Sequence, residues 1–130
     1  MNIILMRHGE AVPFAPSDGD RVLTPNGKGE ASTTGTQLKK AGWIPQTVFC
    51  STRIRAQQTS ELVIGALGLA IKPLVLQGIT PEDDWAEAVA TIEEHATDQS
   101  LFIFHQPILM QIVCHLTEAN ANADVHPRAA

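Results

Sequence analysis

Four short apolar runs, at residues 2–6, 47–50, 71–76 and 101–104, alternate with longer stretches that carry helical signals. This alternation constrains the fold more than any other feature. Each run has the length and composition of a buried strand. Thr24 followed by Pro25 reads as an N-cap with proline at the first helical position, opening a helix that runs to Lys40 and stops before Gly42. Its weak point is the patch Thr33-Thr34-Gly35. Residues 52–67 form a second helix with Leu62, Val63, Ala66 and Leu67 on one face. The third is the clearest, because Trp85, Ala88, Val89, Ile92 and Ala96 fall at i, i+3, i+4, i+7 and i+11. Pro107 opens a fourth, over residues 108–116. Strands separated by helices need crossover connections, hence a mostly parallel sheet with helices on both faces. The expectation is one α/β domain of three layers, α/β/α, over residues 1–117. Residues 118–130, rich in Ala and Asn and without periodicity, are expected to be a mobile tail.

A length of 130 residues suits a single domain able to bury a core without disulfides or metal. No apolar run approaches the ~18–20 residues of a bilayer span, and the N-terminus lacks the pattern of a secretory signal. Membrane association is not expected and a cytoplasmic location is. Two cysteines, Cys50 and Cys114, do not make a disulfide framework. The net charge of −5 speaks against nucleic acid as a partner. Yet Arg7, Arg21, Arg53 and Arg55 all fall in the first half of this acidic chain, mostly near strand ends, which suggests a small, focused anion site.

In an open parallel sheet, ligands bind beyond the carboxyl ends of the strands. Three groups arrive at that edge: Arg7-His8-Gly9-Glu10 after the first strand, Ser51-Thr52-Arg53-Ile54-Arg55 after the second, and His105-Gln106-Pro107 after the fourth. A lone histidine there could be nucleophile, acid, base, metal ligand or anion partner. Two arginines and two histidines together fit phosphoryl transfer, with one neutral imidazole attacking phosphorus while guanidinium groups and a second imidazolium hold the equatorial oxygens. Gly9 would let the backbone turn closely around the phosphate. Residues 12–21, rich in Pro, Ser, Asp and Gly, form a loop close to this edge that could act as a lid.

The order Arg7-His8-Gly9, then Arg55-Ala56-x-x-Thr59, then His105-x-Pro107 resembles the histidine phosphatase superfamily, which includes the phosphoglycerate mutases. Arg21-x-Leu23-Thr24-x-x-Gly27 and Arg55-Ala56-Gln57-Gln58-Thr59 are similar to its small bacterial SixA-type phosphohistidine phosphatase branch. The resemblance covers residues 1 to about 117. It implies a phosphoglycerate mutase-like fold, short at the C-terminus, and a hydrolase that removes phosphoryl groups from phosphohistidine on a protein. His8 would be the phosphorylated nucleophile, with Arg7, Arg55 and His105 around the phosphate and Arg21, Gly9 and Ser51 as substrate contacts. Glu82, Asp83 and Asp84, after the third strand, are the proton-donor candidates. No metal or other cofactor is implied. The implied partner is a phosphorylated protein such as a histidine-phosphotransfer domain, or a small phosphate ester, bound by a monomer or weak dimer.

Two departures bear on these expectations. Phe104 stands where the family usually has Gly or Ser, so its ring is expected to crowd His105. The chain also ends early, so either the sheet is one strand short or the tail pairs in a way its pattern does not advertise. Rival readings are a degenerate module that binds phosphate without turnover, and a small-molecule phosphomonoesterase. A cysteine phosphatase is disfavoured because Cys50 and Arg55 enclose four residues where that chemistry needs five. Arg53, His95, His115 and His126 are assigned no chemical role.

Overall fold

The computed structural model describes residues 2–106, Leu109 and the backbone of residues 124–129. Among them, five strands form one parallel sheet in the order β3-β2-β4-β1-β5. The strands are β1 (Asn2–Arg7), β2 (Thr47–Ser51), β3 (Leu74–Leu76), β4 (Ser100–Phe104) and β5 (Asp124–Ala129). Three α-helices connect the first four: α1 (Pro25–Lys40), α2 (Ile54–Leu67) and α3 (Trp85–His95).

Strand side chains alternate between two cores. Ile4, Met6, Val48, Cys50, Leu101 and Ile103 meet Ala31 and Leu38 of α1 and Val63, Ile64 and Leu67 of α2. On the other face Leu5, Phe49, Phe102 and Phe104 meet Ala88, Val89 and Ile92 of α3. Period-two alternation in strands that are buried on both faces accounts for their continuous apolar runs. The result is the expected three-layer α/β/α arrangement.

Local chemistry explains most element ends. Thr24 caps α1 by accepting the Gly27 N–H at 3.0 Å, with Pro25 in the first turn. The weak patch in α1 has a packing reason, since a Cβ on Gly35 would run into the Val63 and Ala66 region of α2. Gly35 lets the two helices approach, which outweighs its low helix propensity. α2 begins at Ile54, two residues later than the sequence suggests, and β3 is only three residues long.

Two expectations change. Residues 118–130 are expected as a mobile tail that either leaves the sheet one strand short or pairs without advertising it, and Asp124–Ala129 follows the second course, pairing in parallel with the whole of β1, from Asn2↔Asp124 to Arg7↔Ala129. Backbone pairing at a sheet edge needs no alternation, and an edge tolerates Pro127, so no pattern announces this strand. Phe104 does not crowd the pocket: its ring lies fully buried in the α3-side core, and its carbonyl accepts the His8 N–H at 3.0 Å. The helix expected over residues 108–116 lies, apart from Leu109, outside the described residues.

Candidate active site

The carboxyl ends of β1, β2 and β4 bring His8, Ser51, Arg55 and His105 together, with the 12–21 loop lying against them. Arg7 ends β1 and His8 follows it, half-buried. The next residues are stapled to the start of α1. The Glu10 carbonyl accepts the Thr24 N–H at 2.9 Å, and its carboxylate accepts from the Thr24 hydroxyl at 2.8 Å and from Asn26 at 3.2 Å. Gly9 is required here by close approach rather than by an unusual backbone angle, because a Cβ would strike the Gly27 backbone.

The motif Arg55-Ala56-x-x-Thr59 places three side chains on one helical face. Ala56 packs in the core. The Thr59 hydroxyl donates to the Arg55 carbonyl at 2.8 Å and accepts the Gly9 N–H at 3.1 Å, fixing the first turn of α2 against β1. Gln58 accepts the Leu23 N–H at 2.8 Å and anchors the far end of the loop.

Donor and acceptor identities determine the state of His8. The Gly9 carbonyl can only accept, so Nδ1 carries the proton and donates to it at 2.6 Å. The Arg55 Nε–H can only donate, so Nε2 meets it at 3.2 Å with its lone pair. Burial, together with the positive charges of Arg55, Arg21 and Arg7, holds the His8 pKa below its ordinary value, opposed by the Gly9 bond. The ring is therefore neutral at neutral pH, with Nε2 unprotonated.

Arg55 is 3% exposed. Its two terminal nitrogens donate to the Asp18 carbonyl at 2.8 Å and to Asp18 Oδ2 at 3.1 Å. Arg21 donates from Nε to the Val12 carbonyl at 2.7 Å and from a terminal nitrogen to Asp18 Oδ1 at 3.0 Å. The exposed Arg7 side chain makes no hydrogen bond or ion pair among the described residues. It lines a cavity of about 290 Å³ with His8, Gly9, Glu10, Glu30 and Gln106.

His105 is 1% exposed, its ring centroid 5.0 Å from that of His8. Ser51 Oγ, itself fully buried, lies 2.7 Å from His105 Nε2 and accepts the Arg53 N–H at 3.3 Å. The serine hydroxyl can donate to or accept from Nε2, so this contact holds the ring in place with either tautomer, and His105 Nδ1 has no partner among the described residues. Ser51, expected as a substrate contact, is fully buried and holds the His105 ring through Nε2. Burial first, then the charges of His8, Arg55 and Arg53, push the His105 pKa down to about 2. The second imidazole is neutral, not the imidazolium anticipated from sequence.

This sets a pH dependence of stability. An unfolded histidine titrates near 6.5 while folded His105 stays unprotonated to about 2. The contribution is therefore complete above pH 6.5 and lost as pH falls, by about 1.4 kcal/mol per pH unit per histidine. Lowering the pH from 7 to 5 should reduce the unfolding free energy in urea by about 2 kcal/mol through His105, with His8 acting in the same direction. His105→Gln should lessen that dependence, and an unchanged urea midpoint in the wild type would contradict the assignment.

The three carboxylates after β3 have separate roles. Asp83 accepts from the Thr80 N–H at 2.8 Å and the Thr80 hydroxyl at 2.7 Å, closing a turn. Asp84 is the exposed residue preceding α3. Glu82 Oε2 lies 3.4 Å from Arg53, and through it is joined to the arginine cluster. Arg53 itself, assigned no role from sequence, also faces Asp18, Nε to Oδ2, at 3.7 Å. Asp18 went unrecognised as well, since one Asp in a polar loop carries no signal beyond the loop's position. Cys50 is buried in the sheet and burial raises its thiol pKa, which removes it as a nucleophile.

The sequence pattern of the histidine phosphatase superfamily (branch 1) matches residues 3–76. The chain belongs to that superfamily. It is 33% identical over 119 residues to the phosphohistidine phosphatase SixA of Escherichia coli, covering 89% of this chain and 74% of that protein. A solved structure of the protein histidine phosphatase SixA complexed with tungstate superposes with a TM-score of 0.75 at 33% identity, over 89% of this chain and 76% of the other. Plasmodium falciparum phosphoglycerate mutase shares the fold at 19% identity and a TM-score of 0.65, over 89% of this chain and 68% of the mutase. Against the mitochondrial serine/threonine-protein phosphatase Pgam5 of Drosophila melanogaster the match is confined to 63 residues, 48% of this chain and 22% of that protein's length. No helix among the described residues is long and apolar enough to cross a membrane.

Proposed function

We propose that this protein removes phosphoryl groups from phosphohistidine on a partner protein, through a covalent phosphohistidine on His8. The observation that carries the reading is the His8 tautomer: a proton donated to the Gly9 carbonyl leaves Nε2 with its lone pair beside the Arg55 guanidinium. A neutral imidazole held next to a buried cation is suited to attack an anionic phosphorus centre.

In the first step Nε2 attacks phosphorus, the Nε2–P bond forms, and the P–N bond to the substrate imidazole breaks. The leaving imidazole takes up a proton from solvent. Arg55 and Arg7 neutralise charge on the transferring oxygens, and the neutral His105 ring, 5.0 Å from that of His8, offers a further polar partner. Water then attacks phosphorus, the Nε2–P bond breaks, and inorganic phosphate leaves with His8 restored. Arg21 acts at one remove, through its charge and its hold on Asp18.

The environment of the acidic residues favours a nitrogen leaving group. An alkoxide needs a well-placed acid, yet Asp83 is an acceptor in the Thr80 turn, Asp84 is exposed, and Glu82 partners Arg53. Imidazole departs more readily, so the reaction makes less demand on such a donor. The likeness to SixA agrees with this substrate class, and a histidine-phosphotransfer domain is the kind of protein that would present it.

The test compares phosphate release from a phosphorylated histidine-phosphotransfer domain with release from p-nitrophenyl phosphate. A larger kcat/KM for the phosphohistidine protein is expected. Faster release from the ester would overturn the substrate class, and release from neither would overturn the enzymatic reading in favour of a binding module.

A further inference from the structure

We propose that Asp18 is an internal substitute for the phosphoryl group, a carboxylate seated among the site arginines that substrate must displace before His8 can attack. The inference rests on the phosphatase reading above and adds a specificity determinant to it.

Three guanidinium groups converge on this one carboxylate. Arg21 lies 3.0 Å from Oδ1, while Arg55 and Arg53 lie 3.1 and 3.7 Å from Oδ2. Arg55 also donates to the Asp18 carbonyl, so both its terminal nitrogens are turned onto a single loop residue. Its Nε–H rests on the His8 lone pair that would attack phosphorus. Asp18 thus fills the fork of Arg55 while the same guanidinium covers the nucleophile. Arg21 first, and Arg55 with it, hold the Asp18 carboxyl below the usual carboxylate range, and it stays ionised at neutral pH.

The loop is built so that Asp18 can leave without disturbing the fold. Its two ends are tied together by the Val12 N–H to Val22 carbonyl bond at 2.8 Å and by the Ala11↔Leu23 bridge. Between these ties Asp18 sits in the single turn Asp18–Asp20, with its side chain 43% exposed. Only the carboxylate side of these pairs is open to water: Arg55 is 3% exposed, so the buried guanidinium needs an incoming anion to take the place of Asp18. A phosphoryl dianion brings two charges and three oxygens to the same donors, and charge-assisted bonds from arginine forks to phosphate are among the strongest available. Monoanions gain no such advantage over the resident carboxylate. The seat therefore selects for a dianionic phosphoryl group by exchange of one anion for another.

The experiment titrates inorganic phosphate into the ¹⁵N-labelled full chain and its Asp18→Asn variant. Removing one negative charge beside the seat should tighten phosphate binding about tenfold. In the wild type, the backbone amides of Asp18, Gly19 and Asp20 should shift with the same midpoint as the His8 ring, because the turn is displaced as phosphate enters. Equal or weaker binding by Asp18→Asn would overturn the inference, as would amides that stay in place at saturating phosphate. Absence of phosphate binding in both proteins would overturn the phosphatase reading itself.

Discussion

His8→Ala lowers kcat for phosphohistidine hydrolysis by at least about a thousandfold, with its unfolding transition still cooperative. The effect is large because the account gives Nε2 the whole of the covalent step, and nothing near it can replace that role. His105 is buried, and its Nε2 is already engaged by Ser51. Cys50 faces the helical core of α1 and α2, where burial keeps its thiol protonated. Water attacking phosphorus directly would still have the arginine charges, so residual turnover should be slow rather than absent. Stopped-flow or phosphate-release assays on a melting-checked variant measure it. Turnover within tenfold of wild type would place the nucleophile elsewhere.

Arg55→Ala ranks second. Loss of one preorganised donor to a developing anionic charge costs about 10²- to 10³-fold in kcat. Arg55 should lie at the upper end, because it both orients His8 and faces the transferring group. It is also one source of the depression of the His8 pKa. Removing it should therefore move the His8 titration upward, toward 6.5, as followed by NMR of the ring nitrogens. Arg55→Lys keeps a charge but lacks the Nε–H and the planar fork, so it should recover only a minor part of the rate. A near-normal rate in Arg55→Lys would show that charge alone suffices and that the observed bonds to His8 and Asp18 are incidental.

The framework of the fold was readable because strands buried on both faces advertise themselves as unbroken apolar runs, and because Thr24-Pro25 marks the start of α1 in covalent terms. β5 was not, since an edge strand held by backbone pairing to β1 needs neither alternation nor freedom from proline. The separate motifs placed His8, Arg55 and His105 at one sheet edge. What no spacing conveyed was the partner of each atom. That Ser51 would hold the His105 ring, that Thr59 would bridge Arg55 to Gly9, and that Arg53 would face Asp18 all depend on rotamers and loop path. Asp18 was the least visible of all, a single carboxylate in a loop whose composition says only that it turns. Its importance arises from three arginines, separated along the chain, that meet on it.

The most direct test of the central claim is to trap the intermediate. The full-length protein is mixed with a ³²P-labelled phosphohistidine protein, quenched at alkaline pH where phosphohistidine survives, and digested for mass spectrometry. Label is expected on the peptide containing His8, at Nε2, and none in His8→Ala. Label on any other residue, or label that persists in His8→Ala, would contradict it.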